Sequence, residues 1–173
     1  YKKRVKLLLE NELNLFAYHL PLDAHEQVGN NAVIARVLGL VNLQPFGQYK
    51  GSFIGFHGEL PQRLPAQDVF QRIKDQINPD ALIFPFGAKE IKKVGIISGG
   101  AQKEVQQAVG QELDLFLTGE VSEHIFHYVK EEGIHFVAAG HYATERFGIQ
   151  ALGEHLQKQF AITVEYVDIP NPV

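Results

Sequence analysis

From Ile91 to the C-terminus, apolar runs alternate with amphipathic stretches. The runs at 94–98, 113–118, 134–139 and 162–167 are continuous enough to be strands buried on both faces. Helical patterns at 101–109, 121–131 and 143–160 lie between them. A strand, a covering helix and a further strand close by a right-handed crossover. This half of the chain is therefore predicted to build a mainly parallel sheet with helices on both faces.

The first half is less regular. Val5, Leu8, Leu9 and Leu13 fall at helical spacing and predict a helix over 2–11. Residues 13–19 read as a short buried strand and 20–26 as a loop punctuated by Pro21. Asn30 and Asn31 suit the N-cap of a helix over 32–38, which Gly39 ends in a left-handed conformation. In the stretch 41–64, Phe46, Phe53 and Phe56 interleave with Gly47, Gly51, Gly55 and Gly58, the pattern of short antiparallel strands with tight turns. Pro65 opens a helix to Ile77, and 81–84 is a further strand. The fold expected is α/β: a three-layer α/β/α arrangement, mainly parallel in the C-terminal half, with a smaller mixed or antiparallel part in the middle. At 173 residues it reads as a single compact α/β unit, with possible lobes at 1–90 and 91–173.

In a parallel sheet, ligands gather just past the carboxyl ends of the strands. Four such ends here carry polar groups or glycines: His19, Asp23 and His25; Ser98, Gly99 and Gly100; Thr118, Gly119 and Glu120; Gly140, His141 and Glu145. The last set is the sharpest. With a helix opening around Ala143, His141 sits on the turn and Glu145 in the first helical turn. Spacing alone favours an exposed polar pair on one helix face, yet imidazole and carboxylate are also the ligand pair of hydrolytic metal sites.

Each cluster has an ordinary reading beside the functional one. Asp23, following Pro21, competes as a turn residue, and His19 and His25 as half-buried histidines with backbone partners. Ser98-Gly99-Gly100 is either a close-packed strand-to-helix turn or a nest of backbone N–H groups for a phosphate. Glu120 either complements a helix N-terminus or orients a ligand histidine or water beside a metal. His124, His127 and His155 are expected on solvated helix faces; His135 carries no functional signal, and His57 has no evident partner.

Composition narrows the chemistry. With no cysteine, disulfides, thiolate catalysis, zinc fingers, iron–sulfur clusters and cysteine-ligated deaminase zinc are all excluded. Any metal must use His, Asp and Glu, a set that suits zinc, manganese or iron. Neither a Gly-x-Ser-x-Gly elbow nor a His-Glu-x-x-His helix is present. A net charge of −4, interspersed, argues against nucleic acid as a partner, and no apolar run is long enough for a membrane span. A cytoplasmic location is expected. What remains is carboxylate and imidazole metal chemistry with Asp23, His141 and Glu145 as ligands. The chain opens without methionine on Tyr1-Lys2-Lys3-Arg4, which reads as the middle of a helix, so a preceding segment is expected.

His19-Leu-Pro-Leu-Asp23-Ala-His-Glu-Gln-Val-Gly29-Asn30-Asn31, Thr118-Gly119-Glu120, Gly140-His141-Tyr-Ala-Thr-Glu145-Arg146 and Asp168-Ile-Pro-Asn-Pro172 together resemble the NIF-three-like dinuclear-metal-centre proteins, the GTP cyclohydrolase I type 2 homologues, from the first helix to the C-terminus. The match is to their short bacterial form, which lacks a large inserted domain. The resemblance implies two divalent ions (iron, zinc or manganese), with Asp23 on one, His141 on the other and Glu145 bridging. His19, His25, Gly99, Gly100 and Glu120 are then candidates for supporting the ligands or binding substrate. The family's adjacent histidine pair has no counterpart here and is expected in a segment preceding Tyr1. The resemblance further implies a homohexameric ring, a trimer of dimers, with a nucleotide-like small-molecule substrate. The implied reaction is conversion of GTP and water to 7,8-dihydroneopterin triphosphate and formate, with a metal-bound water as the nucleophile. The alternatives are a non-enzymatic metal-binding regulatory or interaction protein forming a ring, or a phosphoesterase or DNA-associated ring.

Overall fold

The computed structural model describes residues 1–171. Helix α1 (Lys2–Glu10) is followed by the short α2 (Leu20–Asp23) and by α3 (Asn30–Val37). A long antiparallel hairpin comes next, β1 (Val41–Tyr49) and β2 (Ser52–Pro65), then α4 (Ala66–Gln76) and β3 (Leu82–Pro85). The second half runs β4 (Glu90–Ile96), a 3₁₀ turn at Gln102–Glu104, α5 (Val105–Gly110), β5 (Leu115–Thr118), α6 (Glu123–Glu132), β6 (His135–Ala138) and α7 (His141–Phe160).

The protein is α/β, as the alternation required, with one six-stranded mixed sheet ordered β1-β2-β4-β5-β6-β3. Among the described residues, only β4–β5 and β5–β6 pair in parallel. The hairpin extends the sheet antiparallel through β2–β4, and β3 closes the other edge antiparallel to β6. Parallel pairing thus lies in the C-terminal half and the antiparallel hairpin in the middle, as predicted. The glycine-rich middle is two long strands rather than several short ones.

Successive residues of a strand point to opposite faces, and the core divides accordingly. Leu115, Leu117 and Val137 join one cluster with Ile34 of α3, with Leu38 just past its end, and with Val69, Phe70 and Ile73 of α4. Phe116, Phe136 and Ala138 join the other, with Val105 and Ala108 of α5 and Ile125 and Val129 of α6. Within it the rings of Phe116 and Phe136 approach to 5.9 Å between centroids. Among the described residues, no helix is long and apolar enough to cross a membrane.

Two predicted strands are absent. Residues 13–19 and 161–170 have no regular structure and join no ladder. Leu15 and Phe16 are each 74% exposed and Val167 is 66% exposed. An apolar run is a strand only when a neighbour supplies hydrogen bonds, and no described segment does so here. Of the terminal motif, Pro172 lies outside the described residues.

His135 belongs to the core rather than to a site. Its Nδ1 accepts the Gly87 N–H at 3.1 Å and its Nε2 donates to the Ala88 carbonyl at 2.7 Å, the arrangement of a neutral imidazole. Burial lowers its pKa from 6.5, outweighing the Ala88 hydrogen bond and the charge of Asp114. A second ring proton would face the Gly87 N–H. Because the folded pKa is depressed, the contribution of His135 is fully present above 6.5 and is lost as pH falls through the folded value. The unfolding midpoint should therefore drop between about pH 7 and pH 5, and drop less in His135→Gln. Equal losses in the two proteins would remove His135 as the cause.

Candidate metal centre

Three parallel strand ends are latched together by their backbones. The chain leaving β4 passes through Ser98 and Gly99, whose carbonyl accepts the N–H groups of Gly119 at 2.9 Å and Glu120 at 3.1 Å, just past β5. The Thr118 hydroxyl donates to the same carbonyl at 3.1 Å. The Gly99 N–H donates to the Thr144 hydroxyl of α7 at 3.0 Å, and Gly140, past β6, donates its N–H to the Gly119 carbonyl at 2.9 Å. Gly99 has φ +67°, and a Cβ there would fall 2.3 Å from Glu145 Oε1, so only glycine leaves that carboxylate its position.

These latches set His141 and Glu145, four residues apart at the start of α7. The helix begins at His141 itself, two residues earlier than its sequence pattern suggested, which places Glu145 in the second turn. His141 Nδ1 meets Glu120 Oε1 at 2.5 Å, and its Nε2 meets Glu145 Oε1 at 3.1 Å. With Nδ1 held by a carboxylate, Nε2 is the nitrogen offered to an ion, the usual device for orienting a ligand histidine. Burial pulls the His141 pKa down, but the Glu120 hydrogen bond and the charges of Glu145 and Glu120 hold it above the ordinary histidine value.

The facing half comes from α2. His19 caps that helix and Asp23 ends it, again four residues apart. Ligand atoms of His19, Asp23 and Glu145 all lie within 4.8 Å of one another. Asp23 is buried, and its Oδ1 accepts from Asn30 Nδ2 at 2.8 Å and from the Ser98 hydroxyl at 3.3 Å. Burial raises the Glu145 pKa and the Asp23 charge adds to it, against the opposing pull of His141 and His19. A carboxylate pair, Asp23 buried and Glu145 half-buried, flanked by two imidazoles is the environment a divalent cation relieves. Carboxylate and imidazole are also the donors such a cation takes, so the residues fit an ion.

Of the expected ligands, the structure brings Asp23 and Glu145 together, with His19 rather than His141 as the third member of that group; His141 stands beside Glu145, with Glu120 behind it. His25 stays outside: its exposed ring accepts the Gln27 and Val28 N–H groups with Nδ1, a turn role. The phosphate nest proposed at 98–100 is not available, since the Ser98 N–H is spent on Asn31 Oδ1 at 2.7 Å and the Gly99 N–H on Thr144. Gly100 instead leaves room for Glu120, whose carboxylate would lie 3.4 Å from an added Cβ.

Sequence reasoning missed Asn30 and Asn31. They are not caps but the first residues of α3, with Gly29 as N-cap. Asn30 gives its amide N–H to Asp23 and accepts the Gly148 N–H of α7 at 2.5 Å. Asn31 donates to the Ile54 carbonyl of β2 at 2.7 Å and accepts from Ser98. Adjacent asparagines leading an apolar helix were the available signal.

Residues 1–172 match the Duf34/NIF3 (NGG1p interacting factor 3) family. The chain belongs to that family. Among curated relatives, the GTP cyclohydrolase 1 type 2 homolog of Haemophilus influenzae is 46% identical over 172 residues, covering 98% of this chain and 68% of that protein. Among solved structures, protein ybgI superimposes with a TM-score of 0.90 at 38% identity, covering 98% of this chain and 67% of that one. A Thermus thermophilus protein follows at 0.89 and 35%, covering 99% and 67%. The chain thus spans about two thirds of each of these Duf34/NIF3 proteins.

Asn31→Ala tests the scaffold behind this NIF3 site. It would leave the Ser98 N–H and the Ile54 carbonyl buried without partners, a cost of about 2–4 kcal/mol. Urea unfolding should show that loss; one below about 1 kcal/mol would mean that the amide is dispensable.

Proposed function

We propose that this chain carries the carboxylate and histidine half of a dinuclear-metal hydrolase centre acting on a nucleotide-like phosphorylated heterocycle. The candidate reaction is GTP plus water to 7,8-dihydroneopterin triphosphate and formate. The convergence of His19, Asp23 and Glu145 within 4.8 Å, with His141 joined through Glu145, carries the reading. The name borne by the Haemophilus influenzae relative, GTP cyclohydrolase 1 type 2 homolog, supports it.

In this reading Asp23, His141 and Glu145 would hold the ions. His19 stands beside Asp23 and Glu145 as a further donor or as a proton carrier to substrate. Bound there, divalent ions supply Lewis acidity and a hydrolytic nucleophile at neutral pH. Glu120 keeps Nδ1 of His141 occupied, so that the ring presents Nε2 in a fixed orientation. Zinc, manganese and iron all accept this donor set.

A second reading is a metal-binding ring of like subunits without turnover. Exposed Leu7, Leu9, Leu15 and Phe16 favour assembly, since apolar side chains gathered on one segment mark contact surfaces.

Metal analysis of the protein separates these readings from a purely structural role. Wild type should retain divalent metal while Asp23→Ala and His141→Ala lose it, and Glu120→Ala should bind about 10–100-fold more weakly. Formate release from GTP by wild type, abolished in Glu145→Gln, supports the hydrolase. Metal bound without turnover of any purine nucleotide supports the assembly, and unchanged metal in the Asp23 and His141 variants contradicts both.

A further inference from the structure

The first two turns of α7 carry two neighbouring rows of side chains. His141 and Glu145 form the metal row. Tyr142 and Arg146, one residue further on and again four apart, form a second row beside it. The second row lines a cavity of about 510 Å³ between α7 and the segment that follows it, walled on the far side by Tyr166 and Val167, and also borders a smaller one toward Ile77 and Asp80. His141 and Glu145 line the larger cavity, so whatever fills it lies against the metal donors.

The chemistry of this cavity differs from that of its neighbours. Two other cavities reach the donor cluster. One is lined by Glu104 with Asp23 and Glu145, the other by Asp23 and Glu145, and neither contains a lysine or arginine. Arg146 is thus the cationic side chain among the described linings of all three. Its guanidinium spends one N–H on the Ile77 carbonyl at 3.3 Å and lies 5.7 Å from the Phe147 ring centroid. Among the described residues no carboxylate forms an ion pair with it. The Tyr142 hydroxyl, on the same row, is buried and has no protein hydrogen-bond partner among them. A buried phenol ordinarily finds a partner, and a guanidinium with donors to spare in a half-buried position is suited to a forked oxyanion.

We propose that Tyr142 and Arg146 form an anion subsite that takes the phosphoryl group of the substrate while the metal row engages the part to be hydrolysed. The inference rests on the proposed hydrolase reading and adds to it the residues that select a phosphorylated ligand. The fold delivers the pairing directly: one helix presents metal donors on one row and the anion grip on the next, so substrate is held in register with the ions.

The test is equilibrium binding of GTP and of guanosine to the metal-reconstituted protein, with metal content and unfolding midpoint recorded for each variant. Arg146→Gln should weaken GTP binding about tenfold or more and leave guanosine within about twofold, with metal content unchanged. Arg146→Lys should restore part of the loss, and Tyr142→Phe should cost GTP about threefold or more. Equal weakening of GTP and guanosine would show a packing role and overturn the subsite. So would unchanged GTP affinity in Arg146→Gln. If the wild type shows the Arg146-dependent preference for GTP but releases no formate, the hydrolase reading falls and the subsite stands. If turnover persists in Arg146→Gln at unchanged KM, the subsite falls and the hydrolase reading stands.

Discussion

The two buried amides at the start of α3 hold the molecule in its working form. Asn30 and Asn31 are 4% and 0% exposed, and between them they bond to α2, β2, the end of β4 and α7. The chemistry demands asparagine. Asn30 must donate to a carboxylate on one side and accept a backbone N–H on the other, which neither a charged nor an apolar side chain can do. Gly148 lets the two helices approach, for a Cβ there would meet Asn30 Oδ1 at 2.8 Å. One side chain therefore fixes the distance between Asp23 on α2 and the helix bearing His141 and Glu145. The two halves of the donor set come from residues more than a hundred positions apart, and this amide is the direct tie between them.

Around that tie, the strand-end latches at Gly99 and Thr144 orient α7, and electrostatics does the rest. Asp23, Glu145 and Glu120 crowd three carboxylates against His19 and His141. The raised values of Glu145 and His141 have different origins: burial lifts Glu145, whereas for His141 burial is outweighed by the Glu120 hydrogen bond and the charges of Glu145 and Glu120. A divalent ion taking these donor atoms would compete with protons for them, so that binding and proton release are coupled.

Much of this was legible in the residues. The parallel strands β4, β5 and β6 are continuous apolar runs because both of their faces are buried, and glycine with polar residues past each run marked the site. The same rule failed at 13–19 and 162–167, where equally apolar runs have no ladder partner; hydrophobicity reports a wish for burial and not the neighbour that grants it. Asn30 and Asn31 were misread because asparagine before an apolar helix is ordinarily a cap, and only tertiary contacts reveal an amide spent on four other elements. Glu120 and His141 met as anticipated since both follow adjacent parallel strands. His19 was underweighted although it repeats, with Asp23, the four-residue spacing of His141 and Glu145.

The central claim is that α2 and α7 meet to form a metal centre on this chain. Anomalous diffraction from crystals equilibrated with manganese or zinc, collected at the absorption edge of the ion, tests it without reference to any substrate. The account predicts anomalous density at this cluster about 2.0–2.2 Å from donor atoms of Asp23 and Glu145, with His19 adjoining, or of His141 and Glu145. Metal elsewhere on the surface, or no peak at this cluster under saturating ion, would contradict it.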